Sequence, residues 1–378
     1  FGYQTRLSNT DFEATEYNFS QIPTVLSLDN LDLDALYNEN AFENEDFSMT
    51  QGYTNTYKVD KKNHALFVES HYNLSNSLTG SLGFRLDFVS MGVEYNVPGQ
   101  MGENEIKDPF YLPSLNLKYD INESNSLRLG SSKTYTLPQS KEISPFQYVN
   151  IGFASEGNPN LKASDNYNID LKWDYYFGNS ELFSTNLFYK RILNPIGRVD
   201  KGNSAGLLTY ENISDAADLL GLEIEVMKDI LNIENHEAAI YHKISWNTNV
   251  SYILSNTKLN LTNTEKRSSQ LEGASPLILH TDLTYRYVKE DKEWINSIVL
   301  SYFSDRIHTI GTLGYEDIIE KGKLDLNWVS KYKLNKKIGV DFKISNMLNS
   351  PHKLNRKISQ TTNQITLNSF EKGRHFSL

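Results

Sequence analysis

The sequence predicts an all-β chain, a transmembrane antiparallel up-and-down β-barrel with about 14 strands, and three observations carry that prediction. The first is alternation. Residues 165–177 put Tyr167, Ile169, Leu171, Trp173, Tyr175 and Phe177 on one face and Asn166, Asn168, Asp170, Lys172 and Asp174 on the other, since successive side chains of a strand point to opposite sides. The second is length: such segments run to roughly 10–15 residues, where soluble strands centre on about 5–6, and that length crosses a bilayer at a tilt of about 45°. The third is that short polar turns alternate with long connections, as in barrels with tight periplasmic turns and long outer loops. A large soluble sandwich also alternates, but strand length, connection asymmetry and the near absence of a helical period count against it.

Composition agrees. The chain has 378 residues, 22% charged and 39% hydrophobic, with no cysteine and a formal net charge of −10. No run of about 18 apolar residues exists, so a transmembrane helix is excluded. A mean hydropathy of −0.51 does not exclude a barrel, in which only alternate residues meet lipid. Aromatics reach 12%, with 23 Tyr and 18 Phe, which suits interfacial girdles. The absence of cysteine excludes disulfides and thiolate metal sites, and the acidic balance argues against nucleic acid as a partner.

The elements follow in order. After a first strand over residues 1–19, residues 64–74 set Leu66, Val68, Tyr72 and Leu74 against Glu69, His71 and Asn73, and a Ser75–Ser77 turn leads to Leu78, Leu82, Phe84, Leu86 and Phe88 against Arg85 and Asp87. Near Ser90 the phase flips to Met91, Val93 and Tyr95, which predicts a β-bulge. Tyr111, Leu115, Leu117, Tyr119 and Ile121 oppose Asn116, Lys118 and Asp120; Leu127, Leu129, Tyr135 and Leu137 then continue outward opposite Arg128, Ser132 and Thr134. Leu220, Leu222, Ile224 and Val226 oppose Glu223 and Glu225. Trp246, Val250, Tyr252 and Leu254 oppose Asn247 and Asn249, and Leu279, Leu283, Tyr285 and Tyr287 oppose His280, Asp282 and Arg286. Leu324, Leu326, Trp328 and Tyr332, then Val340, Phe342 and Ile344, complete the series before a last strand over 366–378. Residues 181–193 and 294–304 alternate less cleanly. Long loops are predicted over 20–60, 97–109, 138–164, 195–214, 255–274, 306–321 and 349–365.

Several motifs invite chemistry and have plainer readings. Gly202-Asn203-Ser204-Ala205-Gly206 matches G-x-S-x-G, which acts as a nucleophile elbow only on a strained strand-to-helix turn; between β segments it reads as a loop tip. The loop over 20–60 carries Asp29, Asp32, Asp34, Glu39, Glu43, Glu45 and Asp46 but lacks the glycine and terminal glutamate spacing of an EF-hand. Its interleaved Leu28, Leu31, Leu33, Leu36, Tyr37, Phe42 and Phe47 suit packing on neighbouring loops or a surface lipoprotein partner. The eight histidines form no HxH or HExxH pair, so no metal or other cofactor is expected. Lumen-side charges such as Glu69, Arg85, Asp87, Arg128, Lys172, Asp174, Glu223 and Glu225 are read first as wall groups that satisfy one another or an inserted domain. Candidate solute contacts are Glu69, His71 and Arg128 on the wall and Phe146, Tyr148 and Asn150 in an aromatic–amide loop stretch, since loops on a rigid scaffold carry binding.

A set of phrases gives the chain a family likeness: Leu112-Pro113-Ser114-Leu115-Asn116 with Lys118-Tyr119, Leu127-Arg128 leading to Thr136-Leu137-Pro138, and Gly157-Asn158-Pro159-Asn160-Leu161-Lys162. Phe188-Tyr189-Lys190 before Asn194-Pro195, Gly221-Leu222-Glu223-Ile224-Glu225, Ser275-Pro276 and Ile344-Ser345-Asn346-Met347-Leu348-Asn349 continue it. In order and spacing over residues 60–378, they resemble the C-terminal barrel of TonB-dependent outer-membrane receptors. That resemblance implies a 22-stranded barrel holding an N-terminal plug, set in outer-membrane lipid of a bacterial cell, taking up a scarce bulky solute with energy relayed by TonB. On this reading the chain is the C-terminal part of a longer protein, with plug, TonB-contacting segment and about eight strands preceding it, and Leu378, after Phe376, stops short of the family's closing aromatic. No catalysis is expected. The alternative is a non-transporting barrel subunit or scaffold of a larger outer-membrane assembly or export complex; a barrel-borne hydrolase would rest on Ser204 alone.

Overall fold

The alternating segments become paired strands. The computed structural model describes residues 1–21, 43, 47–149, 152–203, 206–235, 239–261, 266–359 and 361–378. Fourteen strands follow one another as an antiparallel meander: β1 (Gly2–Gln21), β2 (Phe47–Asn73), β3 (Leu78–Val97), β4 (Gln100–Asn122), β5 (Asn125–Thr136), β8 (Ser164–Gly178), β9 (Glu181–Leu193), β12 (Ala216–Asn235), β13 (Ile240–Lys258), β15 (Leu277–Lys289), β16 (Lys292–Phe303), β19 (Lys323–Lys333), β20 (Gly339–Ser345) and β23 (His375–Ser377). The intervening numbers belong to connections at one end of the wall: β6 (Gln147–Val149), β7 (Ala154–Glu156), β10 (Ile196–Asp200), β11 (Leu208–Asn212), β14 (Ser268–Ser269), β17 (Arg306–Thr309), β18 (Ile318–Glu320), β21 (His352–Lys357), β22 (Gln364–Phe370) and one helical turn, α1 (Ser140–Ile143). Among the described residues β1 and β23 each pair on one side only.

Register places the apolar side chains in rows. Leu117, Leu129, Leu171, Leu187, Leu222, Tyr252 and Leu277 are successive cross-strand partners. They point away from the lumen, with Leu222 41% exposed, and Phe84, 43% exposed, does the same. One residue over, the opposite face carries Lys118, Arg128, Lys172, Asn186, Glu223 and Ser251 in matching register. A face this apolar and this open belongs in hydrocarbon, where every backbone N–H and C=O must be satisfied by a neighbouring strand. Toward the short-turn end, Tyr287, Trp294 and Tyr332 form an aromatic row. The indole N–H of Trp294 donates to Ser330 Oγ at 3.0 Å, and that of Trp246 to Thr281 Oγ1 at 3.0 Å, so neither donor is left unpaired among apolar neighbours.

The first four strands outrun the membrane. β2 has 27 residues, roughly 90 Å of strand at about 3.3 Å per residue, against a hydrocarbon core of about 30 Å. This overturns two predicted loops: residues 47–60 are the upper part of β2, and 97–109 reduces to a tight turn at Pro98–Gly99, with Gly99 at φ +77°, a region glycine enters without strain. It also overturns the β-bulge at Ser90. Pairing of β3 runs unbroken through Ser90 on both sides, so the phase flip is a change of face polarity. Below it, Phe84 and Phe88 face out; above it, Val89, Met91 and Val93 are buried on the inner side while Glu94 faces out.

Further boundaries shift. Tyr135 and Leu137, predicted to face outward, turn inward, because β4 and β5 pair only from Ser114–Ser132 toward their turn. Beyond that point β5 leaves β4, and the Tyr135 ring stacks on Phe110 at 3.9 Å while its hydroxyl donates to Asp87 Oδ2 at 2.9 Å. The last predicted strand, 366–378, divides: Gln364–Phe370 pairs with β21 in a connection sheet, and only His375–Ser377 joins the wall. The predicted loops 138–164, 195–214, 306–321 and 349–365 contain the short strands named above. Asp29, Asp32, Asp34, Glu39, Glu45, Asp46, Leu28, Leu31, Leu33, Leu36, Tyr37 and Phe42 lie outside the described residues, as does Ser204.

Leu222→Arg puts a guanidinium into the apolar row and is expected to cost about 2–4 kcal/mol, whereas Glu69→Arg on the lumen wall costs about 0.5 kcal/mol or less. Urea unfolding of the two variants in lipid vesicles measures the difference; equal losses would contradict the assignment of faces.

Candidate functional site

The connection between β5 and β8 folds back over the inner face of β2–β4. Ile143 and Phe146 bury against Tyr57, Val59, Met91, Val93 and Ile106, with Phe12, Leu137 and Tyr148 at the margin. The aromatic packing is close: Phe12 stacks on Tyr57 at 5.0 Å, Phe146 meets Phe12 edge-on at 4.8 Å, and Tyr148 meets Phe146 at 4.7 Å. The Tyr57 and Tyr148 hydroxyls lie 2.6 Å apart. Gly157 of the Gly-Asn-Pro phrase is needed because a Cβ there would sit 2.0 Å from the Ser144 carbonyl oxygen. Asn158 then ties the connection down, donating from its backbone to Glu142 O at 2.6 Å and from its side chain to Tyr210 O at 3.0 Å. Phe146 is therefore a buried anchor and Tyr148 a half-buried one, while the alternate residues Gln147 and Val149 face solvent, Val149 at 79% exposed. Asn150 lies outside the described residues.

The wall residues nominated from the sequence do face the lumen. Glu69 and His71 approach to 3.6 Å and are largely exposed. Arg128 lies 3.5 Å from Asp174, which Lys172 also approaches at 3.5 Å. Asp174 is 1% exposed, so two cations offset the cost of burying its charge. His71, Lys118, Arg128, Lys172 and Asp170 line one concavity of about 530 Å³. The structure thus brings His71 and Arg128 together and sets Phe146 and Tyr148 apart from them, in the connections.

With β6 and β7 of the connection between β5 and β8, the remaining connections make two four-stranded sheets, β10-β11-β7-β6 and β17-β18-β21-β22, joined by a parallel bridge between Val199 and Ile310. Val199, Ile213, Leu259, Leu261, Ile307 and Ile310 form the shared core. Charged pairs lock its rim: Arg356 with Asp200, Arg267 with Asp317, and Arg306 Nε to Glu320 Oε2 at 2.7 Å. At the centre, Arg198 Nη1 lies 2.7 Å from His308 Nε2. A guanidinium only donates, so His308 is neutral and accepts there, leaving Nδ1–H for Thr309 Oγ1 at 2.8 Å. Burial, reinforced by Arg198, pushes the His308 imidazole down to about 4. Burial also pushes the Glu272 carboxyl up, opposed by the Arg198 backbone N–H that donates to it at 2.9 Å. Sequence reading missed Arg198, Asp200, Glu272, His308 and Arg356; the only signal was a short alternation in Ile196–Asp200 and Arg306–Ile310.

With this geometry in view, comparison with known proteins is direct. The family model "TonB dependent receptor-like, beta-barrel" matches residues 1–347. The chain belongs to the TonB-dependent receptor family. None of the curated protein sequences compared with it matches. Among solved structures, the ferric yersiniabactin uptake receptor FyuA of Yersinia pestis is 11% identical with a TM-score of 0.56, covering 85% of this chain and 46% of its own. The copper transporter OprC is 13% identical with a TM-score of 0.55, covering 81% and 50%. A variant of the ferric enterobactin receptor PfeA of Pseudomonas aeruginosa is 15% identical with a TM-score of 0.47, covering 83% and 51%. At these identities the likeness concerns the fold. The chain spans about half the length of the solved structures it matches.

Two outcomes are expected. Phe146→Ala removes the buried anchor and should cost the connection about 3 kcal/mol, seen as faster proteolysis within residues 138–163 with the wall strands unaffected. His308 is held neutral, so the unfolded connection binds the extra proton between pH 6.5 and about 4. Its contribution is complete above 6.5 and falls by on the order of 3 kcal/mol as the pH drops through that window, the raised Glu272 carboxyl acting the other way. Hydrogen exchange at β10 and β17 measures this, and His308→Gln is expected to flatten the response.

Proposed function

We propose that this chain forms the C-terminal part of the barrel of an outer-membrane receptor that captures a scarce, bulky solute and passes it inward with TonB-coupled energy. The carrying observation is the division of the wall: an apolar row facing lipid, a charged row facing the lumen, and folded connections gathered at the end away from the short turns. Outer-membrane lipid of a bacterial cell is the solvent of the first row. The barrel's own plug domain is the proposed neighbour of the second, contacting groups such as Arg128, Lys172 and Glu223. Glu69, His71, Arg128 and the exposed margin of Tyr148 are the proposed solute contacts on the path. Family membership supports this reading, and FyuA and OprC are by name an uptake receptor and a transporter. They differ from each other in cargo, so neither supplies a substrate here. No bond chemistry is assigned to the barrel. A surface lipoprotein on the acidic loop is part of the proposal on sequence grounds alone.

Uptake is expected to require the inner-membrane energy supply. Accumulation of the solute by cells carrying the full-length protein should fall to background when TonB is deleted; accumulation that persists undiminished would sink the transport reading.

A further inference from the structure

A second concavity, of about 670 Å³, lies where the inner wall of β15, β16, β19 and β23 meets the connection sheet of β17, β18 and β21. Three histidines from distant parts of the sequence reach it: His280, His352 and His375. Three cations join them: Arg306, Lys323 and Lys372. The carboxylates facing the same space are Glu320 and Asp325, and both are engaged. Glu320 accepts from Arg306 at 2.7 Å and lies 3.4 Å from His352 Nδ1, while Asp325 Oδ2 accepts from Asn327 at 2.8 Å. Lys323 and Lys372 have no carboxylate partner among the described residues. His280 uses Nδ1 on Ser301 Oγ at 2.9 Å, which leaves Nε2 to the open side. Phe303 closes one flank, with the Arg306 guanidinium over its ring at 4.7 Å.

We propose that this concavity is a binding site for a small solute bearing two or more oxyanion groups, carboxylate or phosphate. The lining sets three cations against two engaged carboxylates in a chain whose overall charge is −10, and two of those cations, Lys323 and Lys372, have no carboxylate partner among the described residues, which favours anions over cations here. Ammonium and imidazole donors suit oxyanions through charge-assisted hydrogen bonds. Capture of a bare metal ion is disfavoured, because among the described residues no three histidines or carboxylates converge closely enough to ligate one. Phe303 and Ile278 give the solute's apolar part a surface to lie on. Onward passage of the bound solute rests on the receptor reading; its capture at this site does not.

Calorimetric titration of the full-length protein in detergent tests it, with citrate and inorganic pyrophosphate as separate probes. Saturable binding of citrate is expected, weakened about tenfold or more in the double variant Lys323→Gln/Lys372→Gln and retained when both become arginine. Pyrophosphate binding as strong as citrate binding would mark the solute's groups as phosphates; citrate alone would mark them as carboxylates. No saturable binding of either probe, or equal binding by the wild type and the glutamine variant, would overturn the site, as would tight binding of Zn2+ without either anion. Citrate binding in a protein whose uptake is independent of TonB would remove the transport reading and leave this site standing.

Discussion

The structure depends on one constraint: in hydrocarbon no backbone polar group can go unpaired. Strand-to-strand hydrogen bonding satisfies that demand, and it leaves side chains free to alternate between lipid and lumen. Once the leucine row through Leu117, Leu171 and Leu222 is set against lipid, the neighbouring row through Arg128, Lys172 and Glu223 has only the lumen to face. A slip of one residue anywhere would exchange the two rows. The continuous register across these strands is therefore both the support of the wall and the device that makes its interior polar.

Above the bilayer the same strands serve a different solvent. Above Phe88 the outer face of β3 becomes polar and its inner face apolar, with no break in pairing. Water now lies outside, and the apolar inner face is covered by the connection that carries Ile143 and Phe146. Such a reversal reports where lipid ends. It also explains why residues 47–60 and 97–109 read as loops: a search for outward apolar residues fails above the membrane edge, although the strand continues.

The connections are held by a core and by charge. Val199 and Ile310 bridge two sheets whose rims are tied by Arg356 with Asp200 and Arg306 with Glu320. Arg198 and His308 share their interior, and a guanidinium beside an imidazole is tolerated only while the ring stays neutral. This assembly borders the concavity of His280, His352 and His375, so the shape of that space is set by packing at some distance along the chain from its lining residues.

Fold class, the identity of most wall strands, the lumen-facing places of Glu69, His71 and Arg128, and the family phrases were all legible in the sequence, because two-residue periodicity against lipid is a local signal. The burial of Phe146 was not. An aromatic in a loop reads alike whether it meets a solute or a neighbouring sheet, and only the return of the segment carrying Ile143 and Phe146 over β2–β4 distinguishes them. Likewise the histidines at 280, 352 and 375 look scattered until strand order brings them to one concavity. Alternation records which solvent each face of a strand meets, so the sequence alone determined the wall. Contacts between segments far apart in the chain leave no periodic trace, so only the tertiary structure decided how the connections close upon it.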